Sequence, residues 1–235
     1  MNYNASSVAD KLQAYNKILR NSSLYRANAL WTTWQSFNSN DNPLRSIPLP
    51  KRDAAKTINL FASATLHEAI MIAIRALDSA GRSTALKTNR VSFPVMVGLM
   101  KLDGVRDELV NRARNWFEDG FLADKNQLSV ETAMSELERE TSELADSDVA
   151  KRLRNFRDEF LAHNLAFDEE RERPVFSDVT QILTDLRALS DIASLAFEGS
   201  EIGWDFADDE WSRSASDLWR TIYDGTSPNP NTQHN

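Results

Sequence analysis

The 235-residue sequence contains no cysteine, which excludes disulfide bonds, thiolate metal sites and a cysteine nucleophile. Glycine and proline are also scarce, with seven residues of each. Because these two residue types interrupt regular structure, their scarcity favours long elements. Strand-like alternation of apolar and polar residues is missing, and apolar residues recur instead at spacings of three and four. This pattern predicts an all-α fold, a multi-helix bundle.

The sequence also lacks a long apolar run without charges. Its most apolar stretch, 58–77, is interrupted by His67, Glu68 and Arg75, so we interpret it as a buried helix at the centre of a bundle rather than a membrane span. The polar residues 1–10 do not form a secretory signal. We therefore expect a cytoplasmic protein with no membrane association.

Positive charge is in deficit, with 27 Lys and Arg against 35 Asp and Glu and a net charge of −8. Proteins that hold phosphates over a large surface are usually basic, so any contact with nucleic acid must be local. Only three histidines occur, His67, His163 and His234, and no two of them have the spacing of a metal site. Glycine-rich phosphate loops and serine nucleophile motifs are missing as well. We expect no metal and no cofactor.

Apolar periodicity indicates where the helices lie. The loop 38–52 follows two predicted helices, which bury too little surface to form a domain alone, so we expect a single domain over 1–224. The Asn-, Pro- and Ser-rich tail 225–235 is expected to be disordered. Ser92 and Ser177 are predicted to cap helices, each at the start of an apolar pattern. The predicted helices are 7–20, 23–37, 54–79, a short helix after Ser92, 105–118, 130–164 with a break near 146–148, one after Ser177, and 208–223.

One segment carries the candidate catalytic residues. Residues 151–164 read KRLRNFRDEFLAHN, with Arg157, then Asp158, then His163. On a regular helix, Arg157 and His163 lie about 120° apart around the axis. His163 ends an apolar stripe on one face of this helix, formed with Val149, Leu153, Phe156 and Phe160. A site that uses both groups is therefore easier to build when two copies of the helix meet across a twofold axis.

An arginine with a polar neighbour, followed after four to six residues by histidine, resembles the signature of the HEPN superfamily. The preceding segments add to the likeness, since the long apolar helix ends in Arg75-Ala76-Leu77-Asp78 and residues 91–94 open a short helix. This order resembles the abortive-infection branch of the superfamily. The resemblance covers about 24–197 and implies a HEPN-like bundle, with extra helices at both ends of the chain.

The resemblance implies a metal-independent endoribonuclease, a toxin of phage defence that works as a homodimer and is restrained by an antitoxin protein. The ribose 2′-hydroxyl of RNA attacks its own phosphate and leaves a 2′,3′-cyclic phosphate. His163 would transfer protons, because histidine both takes and gives a proton near neutral pH. Arg157 would bind the phosphate and Asp158 would orient either group. Four further arginines could supply a local positive field for substrate: Arg152, Arg154, Arg171 and Arg173.

A second interpretation is a non-catalytic dimerisation or ligand-binding module on the same scaffold. Glu159 and His163 are four residues apart, the spacing of an ordinary helical side-chain pair, and Arg157 and Asp158 could be solvated surface charges. Asp158 also departs from the asparagine that HEPN proteins often carry after the arginine.

Two other groups of residues have a structural and a functional interpretation. The polar residues of the long apolar helix, including Asp78, are expected to form a buried network, with lining of the cleft as the alternative. Helical spacing assigns the N-terminal aromatic residues to the core rather than to base stacking, and the C-terminal tryptophans to packing or a partner surface. These aromatic residues are Trp31, Trp34, Phe37, Trp211 and Trp219.

Overall fold

The structure is a computed structural model that describes residues 3–42, 52–116, 122–162, 172–200 and 203–226. Every regular element within these ranges is helical, which confirms the all-α prediction. The elements are α1 (Ala5–Ile18), π-segment 1 (Leu19–Leu24), α2 (Tyr25–Asn38), α3 (Arg52–Arg75), α4 (Phe93–Met100), α5 (Val105–Arg114), α6 (Ala123–Asp146), α7 (Asp148–Phe156), π-segment 2 (Arg157–Ala162), α8 (Phe176–Glu198) and α9 (Trp204–Thr226).

The chain forms two compact units, one of residues 1–27 and 70–202 and the other of residues 28–69 and 203–235. The single domain over 1–224 stays a prediction. Helix α9 continues to Thr226, two residues into the predicted disordered tail, and residues 227–235 lie outside the described ranges.

The first unit is built around α6 and α8, which pack along each other. Helix α5 covers α6, α7 packs on both central helices, and α1 contacts α4, α5 and α8. Apolar residues of α6 and α8 recur at spacings of three and four, so each helix presents one face to this core. The side chains with little or no exposure include Leu12, Phe93, Met96, Leu109, Met134, Leu137, Ile182, Leu186 and Phe197.

Helices α1 and α2 are joined without a break, so the predicted interruption between 20 and 23 is wrong. Ile18, Leu19 and Tyr25 all keep right-handed helical backbone angles, and the polar residues between them lie in π-segment 1. Leu19 and Leu24 are both buried. Five residues apart, they would point about 140° apart on an α-helix, whereas the wider turn of a π-helix places them on one side.

The burial of helix α3 differs between its two halves. Ala69, Ile70, Ala73 and Ile74 are buried, as expected of a central helix, but Leu60 and Phe61 near its start are 71% and 48% exposed. The prediction that this helix is buried on nearly every face is therefore wrong for its first half. Residues 56–75 are long and apolar enough to cross a membrane by length and composition alone, a test that core helices of soluble proteins also meet.

Aromatic residues hold the second unit together. The rings of Trp31 and Trp34 stack with centroids 4.9 Å apart, and Phe37 contacts Trp219 at 5.0 Å. The indole N–H of Trp219 donates to the carbonyl of Thr33 at 3.2 Å, so this buried ring has its polar group satisfied. The assignment to the core is confirmed for Trp31 and Trp219, which are buried, whereas Trp34 and Phe37 are half-buried.

Candidate functional site

The signature segment lies on a helix that begins at a well-formed cap. Ser147 has extended backbone angles, φ −65° and ψ 152°, and its hydroxyl accepts a hydrogen bond from the Ala150 N–H at 3.1 Å. This cap separates α6 from α7 and confirms the predicted break near 146–148. The helix α6 before it begins at Ala123, seven residues earlier than predicted. Because Ala150 and Leu153 are buried, the arginines of α7 project from its sides.

Arg157 is the first residue of π-segment 2, which runs to Ala162. Single π-turns within helices occur frequently at functional sites. The predicted separation of 120° between Arg157 and His163 assumes a regular α-helix, whereas residues 157–162 form a π-turn, in which each residue rotates by less. His163 and Arg171 themselves lie outside the described residues, so their place in the site stays a prediction.

Arg157 is held by two carboxylates. Its Nη1 donates to Oδ1 of Asp78 and its Nε to Oδ1 of Asp158, both at 2.8 Å, and its side chain is 14% exposed. Burial alone would lower the pKa of Arg157, but the two carboxylates more than offset this and raise it. Arg157 is therefore a permanent cation in a mostly buried ion pair and not a solvated surface charge.

Asp78 joins the segments that carry the family resemblance. Its backbone carbonyl accepts a hydrogen bond from the Ser92 hydroxyl at 2.6 Å, while its carboxylate binds Arg157. Ser92 occupies the N-cap position of α4 as predicted, but its side chain makes no cap hydrogen bond and ties α4 to the end of α3 instead. Sequence reasoning placed Asp78 in a network within the α3 region and missed its contact with Arg157.

Arg152 has a structural position. Its Nε and Nη2 bind both oxygens of Asp178, at 3.0 and 2.6 Å, and its Nη1 lies 3.5 Å from Glu172. The hydrogen bonds from Arg152 lower the pKa of Asp178, although burial acts in the opposite direction, and the pKa of Arg152 is raised. The pair fixes α7 to the start of α8, and substrate binding by Arg152 stays a prediction.

The start of α8 corrects a predicted cap. Val175 is the N-cap residue and α8 begins at Phe176, so the assignment of the cap to Ser177 is wrong. The reason is Asp178 at the third helical position, whose carboxylate accepts from the Val175 N–H at 2.9 Å. Arg173 is exposed just before this cap, and its role in substrate binding stays a prediction.

Arg154 lines an open groove of about 860 Å³ formed by the end of α3, α4, α6 and α7. We refer to it as the α4–α6 groove. Asp78 forms part of its wall, so the groove borders the ion pair of Arg157. The lining residues are Leu77, Asp78, Ser79, Arg90, Pro94, Val97, Lys101, Ser135, Glu138, Arg139, Thr141, Ser142, Ala145, Asp146 and Arg154.

The described ranges contain no cluster of metal ligands. No three His, Asp or Glu side chains within them are placed to hold a metal ion. The expectations that the protein uses no metal and no cofactor stay predictions.

Comparison with known protein families identifies the family of this chain. A family model described as HEPN_AbiU2, AbiU2, matches residues 9–218. The match contains the whole segment from Arg157 to His163 and is wider at both ends than the range 24–197 recognised in the sequence. No curated protein and no solved structure matches the chain.

Proposed function

Because the chain belongs to the HEPN AbiU2 family of abortive-infection proteins, we propose that it is a metal-independent endoribonuclease that acts as a toxin in phage defence. The observation that carries the proposal is the position of Arg157, a mostly buried guanidinium bound to Asp78 on the wall of an open groove. Buried cations next to an open groove are suited to binding an anionic substrate, since low exposure strengthens their interaction with charge.

In the proposed reaction, His163 accepts the proton of the ribose 2′-hydroxyl, and the 2′-oxygen attacks the adjacent phosphorus. The bond from phosphorus to the 5′-oxygen breaks, the leaving oxygen takes a proton from an imidazolium, and a 2′,3′-cyclic phosphate remains. Arg157 stabilises the negative charge that develops on the phosphoryl oxygens through its N–H groups. Asp158 accepts from Nε of Arg157 and Asp78 accepts from its Nη1, so Nη2 is the nitrogen that neither of these two contacts uses.

We further propose that the active form is a homodimer. Each chain supplies one Arg157 and one His163, and two copies of the signature segment facing each other bring the four groups together. An antitoxin protein that covers this surface or separates the two chains would restrain the enzyme. The cytoplasm, where RNA is present, is the proposed location.

One observation favours a second function. Arg157 is neutralised by two carboxylates, and the residue after it is Asp158 rather than asparagine. A carboxylate beside a phosphate site repels the substrate, so the same arrangement would suit a non-catalytic dimerisation or ligand-binding module.

Cleavage of RNA in the presence of a chelator separates the two functions. We expect the purified protein to cleave RNA, and His163→Ala and Arg157→Ala each to abolish cleavage while the circular dichroism spectrum is unchanged. Arg213→Ala is the matched control, because Arg213 is an exposed arginine whose hydrogen bond among the described residues goes to Asp209 of its own helix α9. Cleavage that persists in both site variants would remove the proposed mechanism.

A further inference from the structure

Two arginines of the α4–α6 groove differ from the other cations that line it in their hydrogen-bond partners. Nη1 of Arg90 donates to the carbonyl of Ser79 at 3.0 Å, and Nη2 of Arg154 donates to the carbonyl of Ala145 at 3.4 Å. Within the described ranges neither guanidinium has a carboxylate partner. Both therefore keep N–H groups for a further acceptor, since a guanidinium has five donors.

The remaining cations of the groove are already paired with acids. Lys101 binds Glu138 at 2.6 Å, and Arg139 binds Glu143 at 3.1 Å and also Glu140. Because these cations are neutralised locally, they add little to the attraction of an anion. Arg90 and Arg154 are therefore the cations of the groove that can bind a further anion.

The acidic residues of the groove are largely balanced as well. Asp78 is paired with Arg157, and Glu138 is shared between Lys101 and Arg106. Asp146 at the end of α6 is exposed and is the remaining acid of the lining. Among the residues that line the groove, four cations face three acids, a net charge of +1 in a chain whose net charge is −8, and a local phosphate site requires such a positive field.

The groove also lies next to the proposed reaction centre. Arg154 precedes Arg157 by three residues, about one helical turn, and Asp78 of the groove wall is bound directly to Arg157. A strand whose reacting phosphate lies at Arg157 can continue from there along Arg154 towards Arg90. A volume of about 860 Å³ is in the range of sites that enclose small ligands, so it accommodates a few nucleotides of single strand.

We propose that the α4–α6 groove binds the RNA strand that flanks the cleaved phosphate, with Arg90 and Arg154 each contacting a backbone phosphate. The proposal rests on the ribonuclease function and adds the path of its substrate. Contacts of this kind are sequence-independent, because arginine recognises the phosphate and not the base. The groove would therefore set affinity, and base preference would come from elsewhere.

The test measures binding separately from cleavage. The probe is a short fluorescent single-stranded RNA in which 2′-O-methyl groups replace the reactive hydroxyls, so it cannot be cleaved. Fluorescence anisotropy gives its affinity for the full-length protein in a chelator, over a series of salt concentrations. The variants are Arg90→Ala, Arg154→Ala and their combination. Arg114→Ala is the matched control, since Arg114 is exposed, binds Gln127 and does not line the groove.

We expect each groove variant to bind the probe about fivefold more weakly, the upper value for loss of an exposed ion pair. The slope of log affinity against log salt should become shallower by about 0.7 for each arginine removed, the value for a single strand. Arg114→Ala should change neither quantity. Because Arg90 is exposed, Arg90→Ala remains informative even if Arg154→Ala unfolds the protein.

Three results would overturn the groove proposal: no binding of the probe, equal weakening in Arg114→Ala, or unchanged slopes in the groove variants. A poly-glutamate peptide is tested in parallel, and binding of the peptide but not of the RNA would assign the groove to an acidic protein segment instead. Normal probe binding without any RNA cleavage would contradict the ribonuclease proposal and leave the proposal of RNA binding in the groove intact. Cleavage that depends on His163 but not on Arg90 or Arg154 would contradict the groove proposal and support the ribonuclease.

Discussion

Two arginine–aspartate pairs occur five residues apart in one segment, and their surroundings differ. Arg152 places two donors on a single carboxylate, Asp178, whose side chain is 6% exposed. Arg157 gives one donor to each of two carboxylates, Asp78 and Asp158, which are 27% and 48% exposed. The first pair is closed around a helix cap. In the proposed function, the second pair exchanges a carboxylate for a phosphate, because its acids are accessible to water that would solvate them when displaced.

The largest expected effect tests the second pair. Arg157→Lys keeps the positive charge but loses the planar set of donors that matches a phosphate. We expect the rate of RNA cleavage to fall about a hundredfold or more, the range for loss of one donor to a transition-state oxyanion. The single-turnover rate in a chelator measures this, and thermal unfolding checks the fold. A wild-type rate in Arg157→Lys would mean that charge alone is required.

The next effect tests the first pair. Asp178→Ala removes the partner of Arg152 and the acceptor of the Val175 N–H, so we expect the free energy of unfolding to fall by about 2–3 kcal/mol. Urea denaturation measures it. Asp148→Ala is the control, because its side chain forms an exposed pair with Lys151 and should change stability by less than about 0.5 kcal/mol. Equal decreases in the free energy of unfolding of the two variants would show that the buried Arg152–Asp178 pair stabilises the fold no more than an exposed pair.

Asp78→Asn has a smaller expected effect on catalysis. In the proposed mechanism, Asp78 is a positioning residue that acts through Arg157, and the amide in Asp78→Asn keeps its shape but loses its charge. We expect kcat to fall about tenfold because Arg157 is held less firmly, while KM stays the same or decreases because a competing negative charge is gone. Asp107→Asn, an exposed residue of α5, is the control. A rise in KM with unchanged kcat would place Asp78 in substrate binding instead.

The smallest expected effect is a pH dependence of the stability that the Arg152–Asp178 pair contributes. Arg152 lowers the pKa of Asp178 in the folded protein below its value of about 3.9 in the unfolded chain. The folded state thus keeps the carboxylate ionised where the unfolded state is protonated, and stability from this source is full above about pH 4 and lost as pH falls through the folded pKa. The stability difference between the wild type and Asp178→Asn should shrink below pH 4. A difference that is constant with pH would contradict this.

Local patterns in the sequence were sufficient to predict the fold class and one helix boundary. The all-α class and the break at Ser147 followed from apolar spacing and from a capping residue, both of which are encoded within a few residues. The pairing of Arg157 with Asp78 was not accessible, because 79 residues separate them and no local pattern connects them. The same holds for Arg90, which reaches the groove only through the fold.

Two errors have a common physical origin. The polar residues 20–23 indicated a break, and the apolar start of α3 indicated burial, because composition was taken to determine the backbone and the environment. The chain instead continues through π-segment 1, where burial of Leu19 and Leu24 outweighs weak local propensities. Leu60 and Phe61 are exposed, which apolar composition alone does not exclude.

The π-turn that begins at Arg157 has a consequence for how this segment can vary. A π-turn keeps one surplus residue inside the helix, and deletion of that residue would restore an ordinary turn. Later residues would keep their direction around the axis, because the smaller rotation of each residue in a π-turn absorbs the surplus one. A single-residue deletion within 158–162 should therefore disturb the phase of this segment less than a deletion within α7, where every later residue would rotate by about 100°.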